Sequence, residues 1–133
     1  MPAGYLHRFD GGENIWRRDY HRCDVTYGGT GITGTTALIF NNTYDTDFLV
    51  SAAFLSGFNI SALNKNIILL CSNAADVEQF RFLDLWFLNG HEVVGTISFP
   101  MPVEVKSGYK IKINVPINCT ASGYVFGVQE DPA

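Results

Sequence analysis

The sequence is poor in charge and has no long apolar run. Charged residues make up 17% of its 133 positions, and the net charge is −4 at pH 7. Nucleic acids and anionic membrane surfaces both attract basic proteins, so this balance argues against either as a partner. No apolar stretch is long enough to span a membrane, and the first residues do not resemble a signal peptide. We therefore expect a protein that folds in a cytoplasm.

Cysteine and histidine, which build disulfides and metal sites, are scarce. The three cysteines, Cys23, Cys71 and Cys119, are far apart and odd in number, which predicts buried free thiols. The three histidines are scattered, and His91 follows a predicted turn. The ligand cluster that a metal requires is therefore absent from the sequence, and we expect no metal and no cofactor.

Calcium is the metal that is hardest to dismiss, because several acidic residues fall in predicted loops. These residues are Asp45, Asp47 and Asp76. Their spacing matches no defined calcium-binding loop, so we expect them to be solvated turn carboxylates.

Motifs for catalysis and nucleotide binding are also missing. No Gly-x-Ser-x-Gly nucleophile motif occurs. Asp84 and Glu92 are the one candidate pair of catalytic carboxylates, but we expect Asp84 to face solvent or to pair with Arg81. The stretch 28–36 contains a Gly-x-Gly-x-x-Gly pattern, but a β-branched segment follows it, which predicts a glycine-rich loop that leads into a strand. With no nucleophile, base and oxyanion donor together, we expect no enzymatic activity.

What the sequence does contain is period-2 alternation, aromatic residues and glycine. Aromatic residues make up 14% of the chain, and there are 13 glycines. In the stretch 100–115, Val103 and Val105 alternate with polar residues, Ser107-Gly108 interrupts, and alternation resumes from Tyr109. This pattern is typical of two half-buried strands joined by a short turn.

Similar patterns along the chain predict eight strands and no amphipathic helix. The predicted strands are 35–40, 47–57 with a bulge, 66–71 buried on both faces, 79–88, 92–99, 103–106, 109–115 and 123–128. Asn89-Gly90 lies between two of them and predicts a β-hairpin. The fold class predicted is all-β, a two-sheet antiparallel β-sandwich of jelly-roll type with an extended N-terminal arm. We expect the arm to cover residues 1–24 and the β-sandwich domain residues 25–133.

The arm carries the candidate binding residues. Aromatic and arginine side chains dominate interface hot spots, and the arm has several of each without any helical or strand period. The residues predicted to bind a partner or a neighbouring subunit are Tyr5, Phe9, Trp16, Arg17, Arg18 and Tyr20.

Other aromatic residues have two alternative roles. Phe80, Phe82, Trp86 and Phe87 are expected in the core, and because the strand 79–88 is apolar on both faces we also expect a homo-oligomer, with a trimer as the candidate state. A further set could stack on sugars or proteins while keeping polar tips in water: Trp16, Tyr27, Tyr44, Tyr109 and Tyr124.

The order of these segments resembles a known group of proteins. A Gly/Thr-rich stretch at 30–39, a Phe-Leu-Val-Ser-Ala-Ala strand at 48–53, the stretch 102–115 with Lys106-Ser107-Gly108, and the final segment 123–130 follow one another. This arrangement resembles small jelly-roll virion surface proteins of bacteriophages, of the head-decoration, fibre and tail-tip types. The resemblance covers roughly residues 28–130 and carries over no functional residues.

The resemblance implies a non-enzymatic viral structural protein on the virion surface, in a capsid decoration or in a fibre or spike. Such a protein would assemble in the host cytoplasm, be anchored through its N-terminal arm, and have other capsid or tail proteins as partners. The alternative is a carbohydrate- or receptor-binding β-sandwich module, such as a phage tail adhesin or a lectin-like domain. Its partner would be a glycan or a host receptor.

Overall fold

The computed structural model describes the backbone of residues 20–132 and the side chains of residues 24–129. Eight strands account for most of this part of the chain, and none of it is helical. The strands are β1 (Tyr20–Thr33), β2 (Thr36–Asn41), β3 (Phe48–Asn59), β4 (Lys65–Ser72), β5 (Glu78–Phe87), β6 (Glu92–Val105), β7 (Lys110–Asn114) and β8 (Cys119–Pro132). The predicted all-β class is confirmed. In the described residues, no helix is available that could cross a membrane.

The strands form two antiparallel four-stranded sheets that make a sandwich. Sheet I has the order β1-β8-β3-β6, and sheet II has the order β2-β7-β4-β5. Only β4 and β5 are consecutive strands that pair with each other; every other connection crosses from one sheet to the other. Two interleaved sheets of this kind are a jelly roll, so the predicted sandwich of jelly-roll type is confirmed.

The predicted hairpin at Asn89-Gly90 is wrong. The turn itself exists, because Gly90 has φ 75° and the His91 amide donates to the Leu88 carbonyl at 3.1 Å. However, β5 belongs to sheet II and β6 to sheet I. The turn at Ser107-Gly108 likewise joins β6 to β7 across the two sheets. A turn sequence specifies the reversal of a few residues, while burial of the apolar faces decides which strands pair.

The core lies between the sheets and is built from the alternating residues that face inward. Its fully buried members include Phe48, Val50, Leu55, Ile67, Leu69, Ile111, Ile113 and Val125. In β4, Ile67 and Leu69 face this core, while Ile68 and Leu70 on the opposite side are also buried. The prediction of a strand buried on both faces is confirmed, which explains why its apolar run is continuous rather than alternating.

Strand boundaries differ from the predictions where glycine and proline occur. Residues 28–33 form the end of β1 instead of the predicted loop, and Gly28 permits this because a Cβ there would lie 2.1 Å from the Tyr124 ring. Strand β6 is continuous through Pro100 and Pro102, which join two segments predicted as separate strands. The register between β3 and β6 is interrupted between Ser98 and Val103, and both prolines lie in this interruption. Because β6 is an edge strand, the hydrogen bond that a proline cannot donate is lost there at little cost in stability.

Two buried asparagines hold the connections between the sheets. Asn59 donates to the carbonyls of Leu63 at 2.9 Å and Phe87 at 3.3 Å, and it accepts from the Ser61 amide at 2.7 Å. Asn42 repeats the pattern: it donates to the carbonyls of residues 46 and 105 and accepts from the amide of residue 44. Each side chain therefore satisfies backbone groups of its own loop and of a strand end from another part of the chain.

Candidate interaction surface

Most of the predicted arm lies outside the described residues. Tyr5, Phe9, Trp16, Arg17 and Arg18 are in this undescribed part, so their binding role stays a prediction. Tyr20 is the first residue of β1, and its backbone is in register with Pro132. Strand β1 therefore begins upstream of the domain boundary predicted at residue 25.

The aromatic residues of β5 divide between core and surface. Phe82 and Phe87 are buried, and Phe80 packs against the core at an edge-on distance of 5.1 Å from the Phe82 ring. Trp86 is 65% exposed, so its predicted core position is wrong.

A bulge explains why β5 is apolar at adjacent positions. Leu69 is in register with Leu83, but Leu70 is in register with Arg81, so Phe82 is the extra residue. Phe82 and Leu83 therefore both contact the core. The bulge therefore accounts for the adjacent pair Phe82 and Leu83 without a neighbouring subunit, whereas Trp86 stays exposed on the outer side of sheet II.

Several tyrosines proposed to stack on sugars are occupied within the domain. Tyr27 stacks on Phe40 with ring centroids 3.8 Å apart and meets Phe48 edge-on at 5.1 Å. Tyr109 packs against the core as well. Tyr44 is exposed, and Tyr124 lies on the outer side of sheet I.

The outer side of sheet I carries a group of aromatic residues that the sequence analysis missed. We call this surface the aromatic face and define it by Phe54, Phe58, Tyr124 and Phe126. Phe54 is in register with Tyr124, and their ring centroids are 6.0 Å apart. Phe58 and Phe126 are 39% and 38% exposed. In both strands each aromatic residue alternates with a core residue, but alternation alone does not tell which set faces outward.

Among the described side chains of sheet I, charge is of one sign. The described side chains of β1, β3, β6 and β8 include no lysine or arginine, and strand β3 has no charged residue at all. The acidic residues among these described side chains are Asp24, Glu92 and Glu104. Because their strand neighbours Val25, Val93 and Val103 pack against the core, the carboxylates lie on the outer side, around the aromatic face.

The outer side of sheet II is different, because its charges pair with one another. Asp76 accepts from Lys110 at 2.9 Å and from Lys112 at 2.8 Å. Hydrogen bonds from Lys112 and Lys110 lower the pKa of Asp76 to about 2. Asp76 thus forms ion pairs instead of the solvated turn carboxylate that we expected.

A second ion-pair group lies on β5. Arg81 donates to Glu78 at 2.7 Å and to Asp84 at 2.5 Å, which confirms the predicted pairing of Asp84 with Arg81. These two hydrogen bonds raise the pKa of Arg81 further. Glu92 lies on the other sheet, so it does not share a strand pair with Asp84 as the hairpin prediction had implied.

One end of the aromatic face contains a shallow depression of about 330 Å³. Its outward-facing lining combines one ring, one carboxylate and several hydroxyl groups. The residues are Ser56, Phe58, Glu92, Val94, Thr120 and Ser122. Such a lining can stack against one face of a small polar ligand and form hydrogen bonds to its rim.

Outside this depression, the described residues contain no cluster of reactive thiols or of metal-binding side chains. Cys71 and Cys119 are buried and free, as predicted for these two thiols, and burial raises the pKa of Cys71 to about 12. A thiol with such a pKa stays protonated and is a poor nucleophile. Within residues 24–129, no three histidine, cysteine, aspartate or glutamate side chains are grouped as metal ligands would be.

Comparisons with known proteins add little to this description. No protein-family model matches the chain, and neither does any curated protein. Among solved structures, a Bacillus endospore appendage, described as belonging to a family of disulfide-linked pili, is similar at a TM-score of 0.40 and 9% identity, over 97% of this chain and 98% of that one.

Proposed function

We propose that the protein is a non-enzymatic structural component of a virion surface, a capsid decoration or a fibre or spike protein, that binds its neighbours through the aromatic face. The observation that carries this proposal is the exposure of Phe58 and Phe126 beside the Phe54–Tyr124 pair. Extended apolar surface on a soluble domain marks a site of interaction. Burial of each such ring by a partner stabilises an assembly by about 1 to 2 kcal/mol.

The fold supports a virion role by analogy. Jelly rolls recur in viral capsid proteins and in lectins, so the strand order is compatible with both candidate functions. The resemblance of residues 28–130 to phage surface proteins favours the role in a virion over the role of a carbohydrate-binding module. The inert thiol of Cys71, and the separation of Asp84 and Glu92 onto different sheets, support a role without catalysis.

Light scattering coupled to size exclusion tests the assembly part of this proposal. We expect the full chain to be a homo-oligomer, and Phe126→Ser to weaken its association at least tenfold. Leu38→Ser is the matched control, because Leu38 is 55% exposed on the outer side of sheet II, and it should leave association unchanged. Immunogold electron microscopy of virus particles from the source host tests the location. A chain that is monomeric at all concentrations and absent from particles contradicts the proposal.

The depression at the end of the aromatic face supports a second candidate, a carbohydrate- or receptor-binding module. Saccharides bind proteins by stacking on a ring and by hydrogen bonds to hydroxyl and carboxylate groups, which Phe58, Ser122 and Glu92 offer here. A glycan array with the full chain is the test. This candidate requires saturable binding that Glu92→Gln weakens and that Glu104→Gln, on the same strand outside the depression, does not. A flat array rejects it.

A further inference from the structure

We propose that one end of the sandwich inserts into the surface of a lipid bilayer made of zwitterionic phospholipids. We call this end the apolar tip and define it by four aliphatic side chains that are each more than half exposed: Ile60, Leu63, Leu88 and Ile117. They lie in three loops that connect the two sheets. The inference goes beyond the proposed function and does not depend on it, because a monomer and an oligomer could both present this end to a bilayer.

Four loops meet at the apolar tip. They are residues 34–35, 60–64, 88–91 and 115–118. The Ile60 amide donates to the Asn118 carbonyl at 3.0 Å. The Gly90 amide donates to the Asn59 carbonyl at 2.6 Å, and the Gly34 amide donates to the first carbonyl of β8 at 3.2 Å. These hydrogen bonds join the loops, so the four aliphatic side chains lie together at one end of the fold.

The two ends of the sandwich differ in charge. The four loops of the apolar tip contain no lysine, arginine, aspartate or glutamate. The loops of the opposite end carry Asp45, Asp47, Asp76 and Lys106. Strand β1 begins at this charged end, in register with the last residues of β8, so residues 1–19 join the domain there and not at the tip. Because a charged side chain enters a bilayer at high cost, only the apolar tip suits insertion.

The backbone of the apolar tip also suits a medium without water. Seven amides of its loops donate hydrogen bonds within the domain: those of residues 34, 60, 61, 63, 90, 91 and 115. Pro116 has no amide hydrogen to satisfy. An amide that depended on water for its partner would oppose insertion, because hydrocarbon cannot replace that hydrogen bond.

Residue type favours a bilayer over a protein partner. The hot spots of protein interfaces are rich in tryptophan, tyrosine and arginine, whereas leucine, serine and threonine are under-represented there. The loops of the apolar tip contain none of the first three residue types, and their large exposed side chains are all isoleucine or leucine. These two are among the side chains that enter hydrocarbon most favourably.

The position of the nearest exposed rings points to a partner that surrounds the tip. Phe58 is the penultimate residue of β3 on the outer side of sheet I, and Trp86 is the penultimate residue of β5 on the outer side of sheet II. A flat protein surface against the tip would reach neither ring, whereas a bilayer covers both sides of an inserted end. Tryptophan is enriched at the level of the headgroups.

Charge near the tip indicates which lipid it would enter. Lys65 and Glu92 are the first residues of β4 and β6, so one charge of each sign lies where the strands reach the tip. This pair suits headgroups that themselves carry both signs. The net charge of −4 opposes binding to anionic lipids. We therefore expect insertion by about 5 to 10 Å into phosphatidylcholine, driven by apolar contact.

Flotation of the full chain with phosphatidylcholine vesicles on a density gradient is the direct test. We expect the chain to float with the vesicles, and added phosphatidylserine or high salt should not strengthen or abolish binding. Leu63→Ser and Ile117→Ser should each lower the partition coefficient at least fivefold; Ile60→Ser replaces either variant if circular dichroism shows that it is unfolded. Val77→Ser is the matched control and should bind as the unchanged chain does, because Val77 is 56% exposed in a loop of the charged end.

Tryptophan fluorescence reports the depth of insertion. On addition of vesicles, the emission should shift to shorter wavelength, and lipids brominated near the headgroup should quench it more than lipids brominated at the end of the acyl chain. Trp86→Phe, which keeps Trp16, should abolish both effects. A shift that persists in Trp86→Phe overturns the proposal, because it places Trp16 and not the apolar tip in the lipid.

Failure of vesicle binding is distinguishable from failure of the proposed function. A chain that floats with no vesicle overturns the insertion proposal, and so does binding that requires phosphatidylserine or that Val77→Ser weakens as much as Leu63→Ser. Light scattering on the same samples measures assembly independently. We expect Ile117→Ser to leave assembly unchanged and Phe126→Ser to leave vesicle binding unchanged; loss of vesicle binding in Phe126→Ser overturns the assignment to the tip.

Discussion

Removing the side chain of Asn59 should destabilise the domain more than any exposed asparagine would. Asn59 is fully buried and uses both atoms of its amide group: Nδ2 donates to two carbonyls and Oδ1 accepts from the Ser61 amide. In Asn59→Ala the Phe87 carbonyl and the Ser61 amide lose a buried partner, and the Leu63 carbonyl loses a part-buried one. We expect the variant to fold at a measurable cost.

The magnitude follows from those hydrogen bonds. Each is worth about 1 kcal/mol, and a buried group left without a partner costs about 1 to 3 kcal/mol. Allowing for partial relaxation, we expect the free energy of unfolding to fall by about 3 to 5 kcal/mol, a large part of the roughly 5 to 15 kcal/mol of a typical domain. The melting temperature should fall by roughly 10 to 20 °C.

Urea denaturation followed by tryptophan fluorescence measures this change, with the slope against urea as a check that both variants unfold to the same extent. Asn114→Ala is the control, because Asn114 is exposed on β7, and it should change the free energy of unfolding by less than about 0.5 kcal/mol. Asn59→Asp keeps the shape but loses the donor and introduces a charge, so it should be at least as destabilising as Asn59→Ala. A loss below about 1 kcal/mol in Asn59→Ala would refute the assignment of Asn59 as a structural link.

Two further predictions follow from single contacts. Gly127→Ala should lower the free energy of unfolding by at least about 3 kcal/mol in urea denaturation, because a Cβ there would lie 2.0 Å from the Leu49 carbonyl oxygen in the centre of sheet I. The Asp76 carboxylate should titrate by NMR near pH 2, because Lys112 and Lys110 lower its pKa to about 2. Its folded pKa lies below the unfolded value near 3.9, so its contribution to stability is present above about pH 4 and is lost as the pH falls through 2.

Each of these two predictions can be checked against a control variant at another position of the chain. Gly90 has positive φ but no atom near its Cβ position, so Gly90→Ala should cost only about 1 kcal/mol; an equal loss in both glycine variants would argue against the clash. Lys112→Met should move the Asp76 titration to higher pH, while Lys106→Met, in the turn before β7, should not. An unchanged midpoint in Lys112→Met would contradict the ion pair.

Most of the strands, though not β1, could be predicted because they depend on local features. Alternation around Ile111 and Ile113, the continuous run at 67–71 and the bulge in β3 each reflect how adjacent residues meet a buried face. The pairing of Arg81 with Asp84 could be predicted for the same reason, since the two residues are three positions apart. Trp86 was misplaced because the bulge at Phe82 changes which residues of β5 face the core, and bulges are set by the partner strand.

The aromatic face could not have been found in this way. Phe54 and Tyr124 are separated by 70 positions and meet only because β3 and β8 pair in the middle of sheet I. Until that register is known, alternation in β8 is equally consistent with Val125 outside and Tyr124 inside. The roles of Tyr27, which stacks on Phe40 in the core, and of Asn59, which donates to the Phe87 carbonyl, also depend on distant partners.

Alternation and turn residues by themselves determined that most of this chain forms half-buried strands with few charges, and hence that it is a β-sandwich. The predicted number of eight strands agrees with the structure only because β1 was missed and β6 was predicted as two strands. Tertiary structure decided which strands share a sheet: the Asn89-Gly90 turn has local hairpin chemistry, yet it joins strands of opposite sheets. The physical reason is that a turn governs only the reversal of a few residues. Which strands pair, and which side of each strand faces the core, is governed by the burial of apolar side chains from the whole chain. That burial leaves Phe58 and Phe126 exposed on the outer side of sheet I.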